Sequence, residues 1–306
     1  MSIVVTGAAG FLGRATVAEL RRRGADVVAL DRHPMPAMPD AGGSCLALTG
    51  DLLDRDELAD TALRDASAVL HLAGCPGVRD RSPDVARRRS RDNVEATRRV
   101  LQTVPLEVPV VVTSSSSVYG GSRGRPSAEG DQLAPRGGYA RSKVVVEQLC
   151  AERARRGGLV TVVRPFTVVG ENQRADMAIA RWLAAARDGR PLQVLGSLDR
   201  SRDFTDVREV ARVLACLSER APGGALNIGS GCRRPLREVV AAVADAVGGT
   251  VRTVVTPAAS VEPAETWADT RRLAKVVGFV PVTDLREVVR RAAASLTAAE
   301  RELVAS

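Results

Sequence analysis

Three features of the sequence predict an α/β protein built on a doubly wound parallel sheet, with a smaller C-terminal lobe. Short β-branched runs alternate with helix-length amphipathic stretches through the first half of the chain. A hydrophobic content of 45% over 306 residues is enough for a substantial core. Past Arg164-Pro165 the rhythm loosens into shorter pieces punctuated by Gly and Pro. In chain order, Ile3 to Thr6 reads as a strand, Gly13 to Arg23 as a helix, Val27 to Leu30 as a strand, Arg55 to Leu63 as a helix and Ala68 to Leu72 as a strand. A helix from about Asp84 to Thr103 follows, then strand Val108 to Thr113, helix Tyr139 to Arg156 and strand Leu159 to Val163. This is the β-α-β pattern of a sheet of six strands with crossovers. Helix Ala178 to Asp188, a turn at Gly189 to Pro191 and strand Leu192 to Leu195 open the second lobe. Helix Val207 to Ser218 and strand Ala225 to Ile228 are expected to return to the sheet. Leu236 to Val247 and the arginine-rich tail from Thr283 complete the small lobe. The expected division is thus residues 1–165 with 205–230 in one domain, and 166–204 with 231–306 in the other.

Composition excludes several classes of function. The longest apolar runs, Val108 to Val112 and Leu159 to Val163, fall far short of the roughly 20 residues that span a bilayer, so no membrane segment is expected. No basic stretch and cleavage site precede Ile3, which points to the cytoplasm. The five cysteines, Cys45, Cys75, Cys150, Cys216 and Cys232, form no CxxC pair, and with two histidines no metal site is expected. Free, mostly buried thiols are the expectation. Net charge is +8, yet aromatics are 3% and the arginines are dispersed, which favours solvated basic faces over a nucleic-acid surface. The densest cluster, Arg87 to Arg89 with Arg91, sits beside Asp84 and Asp92 on a predicted helix.

Chemistry enters at Gly7-Ala-Ala-Gly10-Phe-Leu-Gly13, which follows the first strand and opens the first helix. There, backbone N–H groups and the positive helix end face a pyrophosphate, as in a Rossmann-type nucleotide fold. Asp31 closes the second strand, 31 − 7 = 24 residues on, where an acidic side chain meets the adenosine ribose. A carboxylate there repels a 2′-phosphate and favours NAD, while the neighbouring Arg32 would suit NADP. Asp51-Leu52 reads either as an acceptor for the adenine amino group or as a helix N-cap. Tyr139 and Lys143 lie one helical turn apart, so an ammonium there lowers the phenol pKa and lets Tyr139 exchange a hydroxyl proton.

These motifs together, with His71-Leu72-Ala73-Gly74, Asn93-Val94 and Ser114 to Gly120, resemble the extended short-chain dehydrogenase/reductase superfamily, and the resemblance covers nearly the whole chain. It implies a triad of Ser115, Tyr139 and Lys143, with Ser115 bonding the reacting oxygen. It also implies a cofactor site of Gly7, Gly10, Phe11, Leu12, Gly13, Asp31, Arg32, Asp51, Leu52, Leu72, Ala73, Gly74, Asn93, Ser114, Tyr139, Lys143 and Pro165 around NAD. Dehydratases and decarboxylases of the superfamily place acids at the positions of Ser116 and Ser117. Serines there imply a 4-epimerase, which oxidises C4 of a nucleotide sugar, turns the ketone and reduces its other face.

The stretch Arg164 to Met177 resembles the sugar-binding segment of UDP-sugar epimerases. Thr167 and Arg174, with Ser115, Ser116 and Ser117, look like the variant of UDP-glucuronate 4-epimerases, in which hydroxyls and an arginine hold the C5 carboxylate. Leu192, Gln193 and Val194 resemble the segment whose backbone pairs with uracil, and Arg202 the diphosphate arginine. UDP-glucuronate is therefore the favoured substrate, and the resemblance implies a homodimer. UDP-glucose 4-epimerase, UDP-glucuronate decarboxylase and a non-catalytic NAD sensor are the rivals. Departures from the family pattern are Gly74 in place of a second alanine, Val169 in place of tyrosine, a compact Gly120 to Gly130 loop, and Pro257-Ala258-Ala259 where a second diphosphate arginine is usual. Arg233 or Arg252 are the substitutes the sequence offers for that arginine.

Overall fold

A computed structural model describes residues 2–38, 42–54, 56–77, 79–80 and 82–296. The first half runs β1 (Ile3–Thr6), α1 (Phe11–Arg22), β2 (Val27–Asp31), β3 (Cys45–Thr49), α2 (Glu57–Arg64) and β4 (Ala68–His71). It continues through α3 (Val85–Arg89), α4 (Ala96–Thr103), β5 (Val110–Thr113), α5 (Gly137–Arg155) and β6 (Val160–Pro165). The second half contains β7 (Thr167–Val169), α6 (Ala178–Arg187), β8 (Leu192–Leu195), β9 (Ser201–Asp206), α7 (Val207–Glu219) and β10 (Gly224–Ile228). It ends with β11 (Arg233–Pro235), α8 (Leu236–Val247), β12 (Thr253–Thr256), α9 (Arg271–Val277) and α10 (Leu285–Ser295).

Seven strands form one sheet in the order β3-β2-β1-β4-β5-β6-β10, and every neighbouring pair in it is parallel. Its strand order reverses between β1 and β4, and at such a switch point the crossovers leave a crevice at the carboxyl ends of the strands. The central strands are buried on both faces, and their residues alternate between two cores as the two-residue period requires. Val5, Leu70, Val111 and Val163 pack against α1, α7 and α9, while Val4, Val69, Val110 and Val162 pack against α2, α4 and α5. A third core joins α6, α8 and α10 to Leu192, Val194 and Phe204.

Several expectations need correction. The sheet has a strand the sequence reading did not assign, Cys45–Thr49; as an edge strand it is largely exposed and lacks the buried alternation that marks its neighbours. The second half of the chain has four further strands, β7, β9, β11 and β12, which are either three residues long or carry polar or exposed residues that break the buried apolar alternation. The helix expected from Asp84 is interrupted by a π-helical segment, Ser90–Glu95, between α3 and α4. Helix α2 begins at Glu57, capped by the Asp56 side chain on Leu58 and Ala59, and the Arg55 at which it was expected to start lies outside the described residues. The tail from Thr283 forms α10, and its part in 297–306 lies outside the described residues.

The basic faces are not uniformly solvated either. Arg153 is 3% exposed because it donates to four main-chain carbonyls, of Leu101, Val104, Pro105 and Val108, as α4 ends. Arg89 is buried as well, donating to the Gly77 and Asp80 carbonyls. All five cysteines are free, but only Cys75 and Cys150 are buried. Among the described residues no helix is long and apolar enough to cross a membrane.

Candidate active site

The loop after β1 turns on Gly7, whose φ is +69° and whose absent Cβ would sit 2.6 Å from the Ala73 nitrogen. A side chain on Gly13 would lie 2.0 Å from the Gly7 carbonyl, so only glycine lets α1 start this close to the strand. Gly10 is the N-cap of α1 and brings no side-chain cap, leaving the first-turn N–H groups directed at the crevice. This cradle fits a pyrophosphate. Gly7, Gly10, Phe11, Leu12 and Gly13 form one wall of a cavity of about 800 Å³, with Leu72, Gly74, Asn93, Ser114 and Pro165 beside them.

Asp31, Arg32, Asp51 and Leu52 stand beyond that wall, at the ends of β2 and β3. The Asp31 carboxylate accepts from the N–H of Ala9 in the glycine loop (3.0 Å) and from that of His33 (2.9 Å). Arg32 is occupied by Asp92 at 2.8 Å, and Arg91 links Asp92 to Asp51 at 2.8 and 2.7 Å. Asp51 accepts from the Leu53 N–H and caps no helix, which removes its N-cap reading. Leu52 packs on the core. Ala73 is not on the cavity wall; it is the surface against which Gly7 packs.

Asn93 lies in the π segment and is fully buried. Its amide accepts from the Cys75 N–H (2.7 Å) and donates to the Cys75 carbonyl (3.3 Å) and Ser142 Oγ (2.9 Å), tying the strand end to α5. An alanine at Gly74 would bring a Cβ to 2.6 Å from Asn93 Oδ1, which accounts for the departure at this position.

β5 ends in the serine run, and α5 supplies the facing residues. Ser115, Ser116, Ser117, Tyr139 and Lys143 all border the cavity. Lys143 Nζ donates to the Thr113 carbonyl at 2.8 Å and lies 6.0 Å from the Tyr139 ring centre. Burial pulls the Lys143 ammonium down to about 8. Burial also raises the Tyr139 phenol, against a hydrogen bond from Ser115 and the positive field of Arg174, which both lower it. The expected net lowering by Lys143 is therefore not found in the protein alone: desolvation dominates, and the groups that oppose it are Ser115 and Arg174. Ser115 Oγ accepts from the Ser117 N–H at 3.1 Å, and Ser117 Oγ is buried without a partner among the described residues. Ser114 turns the other way, donating to Glu147 at 2.6 Å, and Glu147 is held twice by Arg164.

The opposite wall comes from the second half of the chain. Thr167, Arg174, Gln193 and Arg202 border the cavity. Leu192 and Val194 do not: the strand period turns both into the third core, and the Gln193 carbonyl already accepts from the Trp182 indole at 2.8 Å. Arg174 makes two bonds to Asp176, both 2.9 Å. Neither Arg233 nor Arg252 reaches the wall; Arg233 pairs with Glu265 over Trp267, and Arg252 donates to the Gly189 carbonyl. Arg79, Arg136, Arg181 and Arg190 line the cavity instead, and the only carboxylates among its described lining are Asp176 and Glu262.

Residues 3–229 match the family model described as the NAD dependent epimerase/dehydratase family. The chain belongs to this family. It is thus an NAD-dependent enzyme of nucleotide-sugar type, and the geometry of the glycine cradle fits the pyrophosphate of such a cofactor. Within the family it is similar to MoeE5, solved in complex with UDP-glucuronic acid and NAD, at 37% identity and a TM-score of 0.87 over 96% of this chain and 98% of that one. A MoeE5 complex with UDP-glucose and NAD aligns at 37% identity and a TM-score of 0.86, over 99% and 100%. The UDP-glucuronic acid 4-epimerase of Bacillus cereus, in complex with UDP-glucuronic acid and NAD, is 25% identical with a TM-score of 0.86, over 99% and 100%. An uncharacterized UDP-glucose epimerase of Bacillus subtilis, YtcB, is 28% identical over 94% of this chain and 95% of its own.

What reasoning from the sequence missed in this family member are the cavity residues carried by unpatterned segments. Arg79 follows β4, Arg136 precedes α5, and Glu262 lies between β12 and α9. No periodicity or motif marks them, and only the folded chain brings them to the wall.

Proposed function

We propose that this enzyme is an isomerase that interconverts UDP-glucuronate and UDP-galacturonate. The observation that carries the reading is the wall beside Tyr139: Ser115, Ser116, Ser117 and Thr167 offer hydroxyls, Arg174 offers charge, and no free acid stands among them. The two carboxylates that border the cavity are each paired, Asp176 with Arg174 and Glu262 with Arg79. A dehydratase or decarboxylase needs a further proton donor there, and a C4 epimerase does not. The unpartnered Ser117 hydroxyl is a donor waiting for a carboxylate oxygen.

In this reading Tyr139, as phenolate, takes the C4 hydroxyl proton while Ser115 holds the same oxygen. NAD held by Gly7, Gly10 and Gly13 would supply the acceptor and then the donor of the C4 hydride, which the turned ketone would receive on its other face. Tyr139 then gives its proton back to the C4 oxygen, so the step is redox-neutral overall. Lys143 supplies the positive charge that makes the phenolate accessible. Grip on the C5 carboxylate by Ser116, Ser117, Thr167 and Arg174 keeps the 4-keto acid from aligning its carboxylate for loss of CO2. The MoeE5 complex with UDP-glucuronic acid supports the substrate, and the MoeE5 complex with UDP-glucose supports a second reading, UDP-glucose 4-epimerase. We further propose a cytoplasmic homodimer that pairs α4 and α5, to be checked by sedimentation.

The test is incubation with UDP-glucuronate, UDP-glucose and UDP-N-acetylglucosamine, with products resolved by NMR. The expected result is conversion of UDP-glucuronate to its C4 epimer without CO2. A UDP-pentose product would identify a decarboxylase, and turnover of neutral sugars alone would refute the substrate. Tyr139→Phe is expected to lower kcat roughly a thousandfold while NAD still binds, since general acid-base catalysis contributes about 10² to 10⁴; an unchanged rate removes Tyr139 from the chemistry.

A further inference from the structure

One carboxylate on the cavity wall sits between two arginines from opposite halves of the fold. Arg79, in the loop after β4, places Nε 2.5 Å from Glu262 Oε1. Arg202, on β9, places Nη2 3.6 Å from Glu262 Oε2. All three border the same cavity as the glycine loop and Tyr139. The Glu262 side chain is only 9% exposed and Arg202 only 13%, while Arg79 is 48% exposed, so the carboxylate and Arg202 are withdrawn from water and Arg79 reaches Glu262 from the solvent side. Arg200 fixes the segment from behind, donating to the Glu262 and Pro263 carbonyls at 2.7 and 2.9 Å.

Two guanidinium groups on one carboxylate leave a positive charge uncompensated. A diphosphate carries more charge than a carboxylate and spreads its oxygens over two phosphorus atoms, so it satisfies both arginines better than Glu262 does. It cannot do so while Glu262 stays, because two anions would share one low-dielectric pocket. Resting on the UDP-sugar reading above, we propose that Glu262 is an internal anion that occupies the diphosphate position, and that nucleotide binding exchanges it for phosphate oxygens on Arg202 and Arg79. Arg79 is then the second diphosphate cation, supplied from the sheet side in place of the arginine absent at Pro257-Ala258-Ala259.

This exchange differs from an ordinary inter-lobe ion pair in the sign of its mutational effects. If the bridge only held the lobes together, Glu262→Gln and Arg79→Gln would disturb binding alike. In an exchange, Glu262→Gln removes a competitor and Arg79→Gln removes a ligand, so the effects are opposite. Calorimetric titration of the full-length protein with UDP decides between them. Glu262→Gln should lower the Kd roughly fivefold, and Arg79→Gln should raise it roughly tenfold, corresponding to about 1 and 1.4 kcal/mol. Uridine, which lacks phosphate, should bind both variants as it binds the wild type. Shifts of the same sign for UDP, or a Glu262→Gln variant with unchanged UDP affinity, overturn the exchange. Should Glu262→Gln fail to fold, Arg79→Gln still decides: losing UDP and uridine equally refutes the role of Arg79. A wild-type protein that binds uridine and UDP with equal strength refutes the diphosphate site, and one that binds neither refutes the UDP-sugar reading itself.

Discussion

Lys143 shows how a residue placed for the proposed chemistry works against the fold that holds it. Lys143 is 6% exposed and, among the described residues, donates one hydrogen bond, to the Thr113 carbonyl; burial lowers its pKa from 10.5 to about 8. Between those values the unfolded chain holds a proton that the folded chain lacks, so stability falls as pH drops through this window. Below pH 8 both states carry the charge and the full penalty remains, about 3 kcal/mol at 1.36 kcal/mol per unit. Lys143→Met removes the buried charge and keeps the length of the side chain, at the expense of one orphaned carbonyl worth about 1 to 2 kcal/mol. The variant should therefore be more stable than wild type by about 1 to 2 kcal/mol at pH 7 and inactive. Denaturant titrations at pH 7 and pH 10 check this: the gain must shrink at the higher pH, where the lysine of both states is losing its charge. A variant less stable than wild type at pH 7 would mean that other groups compensate the ammonium. His71 offers no comparable switch, because burial between Thr6 and Thr97 lowers it to about 3 and keeps it neutral throughout this range.

At the scale of elements, the π segment Ser90–Glu95 does work that a continuous helix would not. The extra residue in the turn re-aims side chains, as single π turns do at functional sites. On one side Asn93 reaches the Cys75 backbone and Ser142; on the other Asp92, 7% exposed, faces the end of β2. There it holds Arg32 at 2.8 Å while Arg91 binds its other oxygen. Of the two signals at this strand end, Asp31 for NAD and Arg32 for a 2′-phosphate, the second is therefore silenced by a residue some sixty positions on, since 92 − 32 = 60. Asp92→Asn keeps the shape and removes the charge, freeing the Arg32 guanidinium to meet a phosphate. The Kd for NADP should fall roughly five- to tenfold and that for NAD should hold, a shift of about 1 to 1.4 kcal/mol. Fluorescence titration with both cofactors measures it; an unchanged NADP affinity would show that Asp31 alone sets the preference. The sequence made Asp31 and Arg32 visible as a pair, since both follow a strand whose period is plain. It concealed the Asp92 contact, because a π turn has no composition of its own. The same reason hid β3: its Cys45, Leu46 and Ala47 are exposed at the sheet edge, so no buried alternation distinguishes strand from loop.

Across the whole molecule, the two walls of the cavity differ in how far they can be read from sequence. The sheet-side wall is local: glycines 7, 10 and 13 lie in one turn, Ser115 ends one strand, and Tyr139 and Lys143 share one helix face. Each is set by a spacing that a period of 2 or 3.6 explains. The far wall is assembled from β7, the start of α6, β8, β9 and the segment before α9, whose strands are three to six residues long. Contacts of this kind follow from packing of the third core, so Gln193 could be placed on the wall and Leu192 and Val194 off it only once β8 was seen beside β12. The arrangement makes a prediction that belongs to neither wall alone. In the proposed pose, a nucleotide sugar across the cavity touches Ser115 to Ser117 and Thr167 with its sugar and Gln193, Arg202 and Arg79 with its nucleotide, all of them residues of the cavity lining. Binding then stabilises both walls through one equilibrium, by about 2.7 kcal/mol when the ligand stands at a hundred times its Kd. In hydrogen exchange of the NAD-loaded protein, UDP-glucuronate should protect the 113–120 segment and the 190–204 and 257–266 segments along one titration curve. UDP should protect 190–204 and 257–266 without 113–120, because it carries no sugar to reach the serines. Protection of 113–120 by UDP, or distinct midpoints for the two walls with UDP-glucuronate, would mean that the cavity is two sites and that the sugar does not lie beside Tyr139.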